Sequence, residues 1–175
     1  AFNTPSLATP GATQDVRALQ VISAVLSEGP QAWLTHQLSA GKDTLASVIC
    51  RLPAFRRPDD LFLIGATLGE DSALSVREVE EEIKQLLESL KNRALDADTV
   101  KYGQRQVLDY LAAQDTLAVQ ASTLGNLAAI EQPLALIDSE VEQILNVTAD
   151  DILRVANTYL CPERLSVAHI LPREA

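Results

Sequence analysis

The chain has 175 residues, of which 47% are hydrophobic and 22% are charged, and its formal net charge is −10 at pH 7. This length and composition predict a single globular domain over residues 1–175 and exclude a disordered protein. Because 24 acidic residues stand against only 14 lysines and arginines, the composition argues against nucleic acid and anionic membranes as partners. No apolar run is long enough to insert into a membrane. The lack of methionine indicates a piece that was processed or excised from something longer.

The N-terminal half alternates strands and helices. FNTPS predicts an opening strand that Pro5 ends, and apolar residues at helical spacing predict a helix from Asp15 that stops at Gly29. A second short helix is expected over about 31–38. TLASVICRLPAF and LFLIGATLG then have the β-branched and apolar density of strands. The short polar loop between them predicts an antiparallel pair.

The next segments are predicted to be helical. SVREVEEEIKQLLESLKNRAL carries a single apolar stripe, and Ser75 with Glu78 forms a capping box at its start. A longer helical stretch is expected over about 98–124, with an interruption at Gly125. These two segments supply most of the predicted helix.

The C-terminal part predicts two more helices and one strand. A shorter helix is expected after Pro133, and VTADDILRVANTYLCP predicts a final helix with Thr148 as its N-cap and Asp151 three positions later. RLSVAHILP is the expected last strand. The order of elements predicts an α+β domain in which an antiparallel sheet of about four to six strands carries helices mainly on one face. The opening strand is expected to be a truncated or edge strand.

Residues that could support catalysis are few. His36 and His169 are the only histidines, and neither belongs to an HExxH or HxxEH arrangement. Cys50 and Cys161 are too far apart for a zinc knuckle or a CxxC pair, so buried free thiols are expected. A Cys₂His₂ zinc site built from all four residues is the strongest alternative, but it lacks the short paired spacings of such sites.

The other motifs point to structure and not to chemistry. Glu80, Glu81 and Glu82 are consecutive, which spreads them around a helix, so they are expected to form a solvated face. GKDT at 41–44 lacks the residues of a phosphate-binding loop, and neither GxSxG nor GxGxxG occurs. No autonomous active site is predicted.

As a whole, the sequence resembles the C-terminal, non-catalytic type of domain in the M16 zinc metallopeptidases, the pitrilysin, insulinase and mitochondrial processing peptidase group. The resemblance covers essentially the whole chain. It rests on an ordered series of segments: FNTPS, DVRALQVISAVLSEGPQAWLTHQL, DDLFLIGATLG, VREVEEEIKQLLESL, STLGNLAAIEQP and VTADDILRVANTYLCPERLSVAHILP.

The resemblance implies a multi-domain protein whose halves close around an unfolded peptide. In this family an HxxEH helix in one domain supplies two zinc ligands and the general base for attack by a metal-bound water. Because this chain lacks that helix, we expect no metal site, no cofactor and no enzymatic activity in it. Zinc is expected in the catalytic domain of the parent protein, which would be a zinc-dependent endopeptidase.

The resemblance also locates a substrate-binding pair of the family. In many relatives an Arg and a Tyr, seven residues apart, bind substrate backbone, and Ser39 and Ala46 stand at those two positions here. Trp33 and Thr35 replace the Arg and Tyr of a preceding SRLY sequence. The pair is therefore absent, and no substrate-binding residue is assigned. His36 falls at a variable position and is expected to be a partly exposed helix residue.

Two functions remain open at the level of sequence. In the first, the chain forms part of the wall of a peptide-enclosing chamber and packs on the zinc-bearing domain. Its partners are then other M16 domains, in the same protein or in a partner subunit, and the peptide substrate of the parent. In the second, it belongs to a structural or assembly subunit without peptidase activity. A periplasmic location is an analogy with bacterial relatives only.

Overall fold

The computed structural model describes residues 1–39, 45–55, 59–70, 72 and 74–171. Helices and a small antiparallel sheet form an α+β domain, which confirms the predicted fold class. The elements in chain order are β1 (Phe2–Thr4), α1 (Thr13–Ser27), α2 (Trp33–Ser39), β2 (Leu45–Arg51), β3 (Asp60–Leu68), α3 (Val76–Asn92), α4 (Ala97–Ala113), α5 (Leu117–Ala129), α6 (Glu140–Leu145) and α7 (Ala149–Tyr159). Short 3₁₀ turns cover Leu134–Leu136 and Pro162–Arg164.

The sheet has three strands in the order β1-β3-β2, all antiparallel, within the described residues. The expected pairing of β2 with β3 and the expected edge position of β1 are confirmed. Its inner face is buried, with Phe62 fully covered and Cys50 3% exposed. On the outer face Leu61 is 37% exposed and Ile49 47% exposed, so the helices cover one side only.

The prediction of four to six strands is wrong for the described chain, because RLSVAHILP does not form the expected last strand. Leu165 makes an isolated bridge with Phe2. Ser166 and Ala1 exchange hydrogen bonds, with N···O distances of 2.8 and 2.9 Å. Within the described residues the pairing of this segment ends at Ser166. Residues 167–171 belong to no strand of the sheet.

Helix α1 is the centre of the core. Ten of its fifteen residues are buried, because β2, α2, α4, α6 and α7 pack around it. The guanidinium of Arg17 is buried with them and donates to Oε1 of Glu140 at 2.6 Å and to Oε1 of Gln143 at 3.0 Å. Burial lowers the pKa of Arg17, and the pairing with Glu140 opposes that shift. This charged contact ties α6 to α1.

The turn between α1 and α2 is held by a side chain from α4. Gly29 has φ of +73°, a conformation that favours glycine after a helix. The hydroxyl of Tyr102 donates to the carbonyl of Glu28 at 2.6 Å and accepts from the N–H of Gln31 at 3.1 Å. A Cβ on Gly29 would lie 2.5 Å from that hydroxyl, so both the backbone conformation and the close approach require glycine.

The long helix expected over about 98–124 is two helices. Helix α4 ends at Ala113, and Thr116 starts α5 by accepting from the N–H of Val119. The predicted break at Gly125 is wrong, because Gly125 lies inside α5 with open space around it. The local capping signal of Thr116 determines the break. Leu127 is the buried residue of α5.

The helix ends predicted from sequence are confirmed in α3 and α7. Ser75 and Glu78 form one capping box, and Thr148 and Asp151 form the other. After Pro133 the chain makes a 3₁₀ turn and then α6. The amide of Gln104 closes the C-terminal end of α6 by donating to the carbonyls of Ile144, Leu145 and Val147 at 2.9–3.1 Å. No helix in the described ranges is both long and apolar enough to cross a bilayer.

Candidate functional site

His36 has a structural contact. It lies on the exposed surface of α2, and its Nε2 is 2.7 Å from the carbonyl oxygen of Pro30. Since a carbonyl only accepts, Nε2 carries the proton in this bond. The contact joins α2 to the turn before it. This geometry agrees with the expectation that His36 is a helix residue that is at least partly exposed.

Trp33 is on the same helix and partly buried. Its ring packs against the main core. Together with His36, Gln37 and Leu86 of α3 it lines a shallow, open hollow. Among the described residues that line the hollow, His36 alone has a titratable side chain, so they offer no pair of groups for acid–base chemistry.

His169 contacts Glu80, which lies 89 residues away in the sequence. Its Nε2 is 2.8 Å from Oε2 of Glu80, and Nζ of Lys84 is 2.5 Å from Oε1 of the same carboxylate. Arg77, Glu81 and Val167 complete the lining of an open hollow between α3 and the C-terminal segment. Glu80 is therefore engaged by two side chains, which corrects the expectation that Glu80, Glu81 and Glu82 are all merely solvated.

The electrostatics of this cluster favour a charged carboxylate. Hydrogen bonds from Lys84 and then from His169 lower the pKa of Glu80, and the Glu80 carboxylate in turn raises the pKa of Lys84. A general acid or base for neutral pH needs a pKa close to the working pH. A carboxylate whose pKa is lowered and whose oxygens are both occupied is better suited to holding the C-terminal segment against α3.

The two cysteines are in different surroundings. Cys50 is buried in β2, and burial raises the pKa of its thiol to about 12. Such a thiol stays protonated at neutral pH, and the neutral form is a poor nucleophile and metal ligand. Cys161 is partly exposed at the end of α7, with its Sγ 3.7 Å from the carbonyl of Thr158. The expectation that both are free is confirmed, whereas burial holds for Cys50 alone.

Ser39 is the last residue of α2, and Ala46 lies at the start of β2. The side chains of both residues, and the GKDT segment at 41–44, lie outside the described part of the chain. The absence of the Arg/Tyr pair from these positions is a property of the sequence. Its effect on substrate binding stays a prediction.

The structure does not bring the candidate residues together. His36 and Cys50 are on α2 and β2, whereas Cys161 follows α7 and His169 contacts α3. Across the described ranges, no group of three or more His, Cys, Asp or Glu side chains is arranged to hold a metal ion. The contacts at each residue join neighbouring elements.

Several polar contacts could not be found by sequence reasoning. One is the cluster on Asp15, whose carboxylate accepts from Arg154 at 2.7 Å and from the hydroxyl of Tyr159 at 2.8 Å. Another is the buried pair of Arg17 and Glu140. Their partners are more than 120 residues apart, so no motif or periodicity relates them. The one available signal was an arginine inside the apolar face of α1.

Known proteins match this chain in three-dimensional structure. No protein-family model matches the sequence, and no curated protein matches it. Solved structures do match. A protease from Helicobacter pylori aligns with 93% of this chain at 21% identity and a TM-score of 0.77. The chain spans only 38% of that protein.

Two further matches are domains described as inactive. The inactive peptidase domain of a putative zinc protease from Bordetella parapertussis aligns over 99% of this chain and 91% of its own, with a TM-score of 0.81 at 16% identity. The peptidase M16 inactive domain from Pseudomonas fluorescens aligns over 93% of this chain and 37% of its own, with a TM-score of 0.69 at 17% identity. The resemblance seen in the sequence is thus confirmed in the fold. The chain has the fold of the inactive domain of M16 zinc proteases.

Proposed function

We propose that the chain is a non-catalytic domain of a zinc metallopeptidase, which packs on the zinc-bearing domain and forms part of the wall of a peptide-enclosing chamber. The observation that carries the proposal is the alignment of nearly the whole chain with an inactive peptidase domain, at a TM-score of 0.81. In the parent protein, an HxxEH helix in another domain would hold the zinc. The whole protein's activity and its peptide substrate belong to the same proposal.

The local chemistry of this chain supports a non-catalytic role. His36 is bonded to a backbone carbonyl and His169 to a carboxylate with a lowered pKa. Cys50 is a buried, protonated thiol at neutral pH. These contacts stabilise helix ends and strand packing, and each can act without a metal ion.

The outer face of the sheet is the surface best suited to line a chamber. It carries Ile49 and Leu61, which are 47% and 37% exposed, together with exposed Arg51. In an antiparallel sheet with one solvated face, apolar residues usually point to the covered face. Ile49 and Leu61 depart from that pattern. A peptide with apolar side chains could pack on them without a defined sequence, which suits a wall better than a specific pocket.

The proposal that this chain is non-catalytic is tested on two preparations. The isolated chain is equilibrated with zinc, dialysed and assayed for metal and for cleavage of a fluorogenic peptide, and we expect neither stoichiometric zinc nor cleavage. The complete protein is then compared with its His36→Ala/His169→Ala double variant, which should retain peptidase activity. Near one zinc per isolated chain, or a folded double variant without activity, would contradict the proposal.

The chamber wall is tested by labelling. In the complete protein, a cysteine placed by Ile49→Cys should react more slowly with a thiol reagent when an unfolded peptide is bound. Leu117→Cys in α5 is the matched control, because Leu117 is 86% exposed on a helix that the proposal does not assign to the chamber. Equal reactivity at Ile49→Cys with and without peptide would contradict the proposal that this face of the sheet forms part of the chamber wall. If the zinc-loaded complete protein binds peptide but cleaves none, the structural subunit becomes the better interpretation.

A further inference from the structure

Helix α5 differs from the other long helices because it has no charged side chain. None of its residues is Asp, Glu, Lys or Arg. Helical spacing places four apolar residues on one stripe, which we name the outer α5 face: Leu117, Ala121, Leu124 and Ala128. All four are exposed, and Leu117 is 86% exposed. A helix that lacks a charged face is normally buried in a folded protein.

The fold already uses the other side of α5. Val119, Thr123 and Leu127 form a second stripe and are the less exposed residues of the helix. Leu127 packs with Val16 of α1 in a small cluster of buried residues. Next to the outer α5 face, a Cβ added to Gly125 would meet nothing within 4 Å. The described chain therefore leaves the outer α5 face open after α5 has made its contact with the core.

Exposed apolar side chains concentrate in the segment that contains α5. Of the eleven large apolar side chains that are exposed in the described ranges, six lie between residues 110 and 145. They are Tyr110, Leu117, Leu124, Leu134, Val141 and Leu145. Leu134 belongs to the 3₁₀ turn that contacts α5. A concentration of exposed apolar residues on a folded domain marks an interaction surface.

The charged residues that flank α5 are acidic. Asp115 precedes the helix and Glu131 follows it, and both are exposed. Asp115 accepts a hydrogen bond from Nε2 of Gln120 at 2.6 Å, which holds it beside the first turns of α5. No lysine or arginine occurs between Arg105 and Arg154. A partner whose apolar surface is bordered by Lys and Arg would complement both the apolar stripe and the charges at its ends.

These charges also select among the possible occupants. Two copies of this chain packed through α5 would place acid next to acid in either orientation of the helices, which is unfavourable. An anionic bilayer would be repelled, and helices that lie on membranes carry the Lys and Arg residues that α5 lacks. A further protein domain fits better. The solved protease from Helicobacter pylori, of which this chain spans 38%, shows that the fold occurs as one part of a longer protein.

We propose that the outer α5 face is covered by another domain of the protein that contains this chain, through an apolar surface bordered by Lys and Arg. This inference rests on the proposed function, which supplies that domain. It adds the surface of this chain that the domain binds and the charge of the counterpart. The contact uses α5 and leaves the outer face of the sheet to the peptide. Bound peptide should therefore leave the reaction rate of Leu117→Cys unchanged.

The test is photo-crosslinking in the complete protein, with p-benzoylphenylalanine in place of Leu124. We expect a link to a segment of the same polypeptide outside residues 1–175, and mass spectrometry should show that this segment has a net positive charge. The same replacement of Glu88 is the matched control, because the Glu88 side chain is 55% exposed on α3, a helix with a charged outer side. A residue in a packed interface has fixed neighbours, so the yield at Leu124 should exceed the yield at Glu88 by about tenfold or more.

Other outcomes would overturn the proposal. These are equal yields at the two positions, no link outside residues 1–175 in a variant that is folded by circular dichroism, a link to a second copy of the protein, or a linked segment without a net positive charge. Zinc-dependent peptidase activity is measured on the same preparation. Cleavage without the link contradicts this inference alone. The link without cleavage supports the contact and contradicts the proposed function.

Discussion

Gly103 of α4 lies directly against Val25 of α1. A Cβ on Gly103 would be 2.6 Å from Cγ2 of Val25 and 3.1 Å from the backbone oxygen of Val21. The missing side chain therefore sets how closely the two helices pack. Gly125 of α5, by contrast, has nothing within 4 Å of its Cβ position.

The two helical glycines predict opposite effects of the same substitution. Gly103→Ala should lower the free energy of unfolding, because overpacking a core costs about 1–3 kcal/mol and helix propensity returns only about 1 kcal/mol. Gly125→Ala should raise it by up to about 1 kcal/mol, since only the propensity changes. Thermal denaturation followed by circular dichroism measures both. A Gly103→Ala variant as stable as the parent would show that α1 and α4 can move apart at little cost.

Trp33 provides a test of packing on α2. Trp33→Ala should reduce the free energy of unfolding by about 2 kcal/mol, less than the roughly 3–5 kcal/mol of a fully buried tryptophan, because the ring is partly exposed. Because it is the single tryptophan, unfolding must be followed by circular dichroism and not by fluorescence. Leu117→Ala is the control, with an expected change within about 0.5 kcal/mol. Equal effects of the two substitutions would contradict the packing of Trp33.

The two cysteines should differ in reactivity. With native protein at pH 8, a thiol reagent should modify Cys161 and leave Cys50 unmodified, and denaturant should expose the second thiol. Burial raises the pKa of Cys50 to about 12 from its ordinary value of 9.0, so its thiolate is scarce at pH 8. Cys161→Ser should abolish the native reaction. Two reactive thiols in folded protein would contradict the burial of Cys50.

The raised pKa of Cys50 also makes the stability of the fold depend on pH above about pH 9. The pKa of Cys50 is higher in the folded than in the unfolded state, so the folded state binds more protons above pH 9. Its contribution to stability is fully present below pH 9 and is lost as the pH rises toward 12. The Cys50→Ala variant should lose less stability than the parent between pH 9 and pH 11 in urea denaturation.

The parts of the fold that were predicted correctly depend on local signals. The capping boxes at Ser75 and Thr148 place both atoms of each contact within three residues, so the sequence contains the whole interaction. The capped start of α5 at Thr116 is also a local contact, but it was not predicted. The prediction at Gly125 was wrong because a glycine weakens a helix by only about 1 kcal/mol, whereas a capped start ends the preceding helix.

The errors in the sheet come from pairing between distant residues. The segment after Leu165 has the composition of a strand, but a strand needs a neighbour. Its neighbour is β1, which is three residues long. Alternation within RLSVAHILP contains no information about the length of its partner. A sequence pattern can therefore identify a strand-forming segment and still overcount the strands of the sheet.

The candidate site also has features that are local in sequence and features that depend on distant contacts. The lack of HxxEH is a local property and could be recognised in the sequence. The partner of His169 could not, because Glu80 was one of three consecutive glutamates with similar surroundings in sequence. Which of them meets His169 depends on how the C-terminal segment crosses α3.

The central position of α1 has a consequence for synthesis of the protein. Its principal helical partners, α4, α6 and α7, all follow it in the chain. During translation its apolar surface is not completely covered until residues near Tyr159 have left the ribosome, roughly ten seconds later at about 5–20 residues per second. A pause in translation before α7 would therefore lengthen the time for which part of the apolar surface of α1 is exposed.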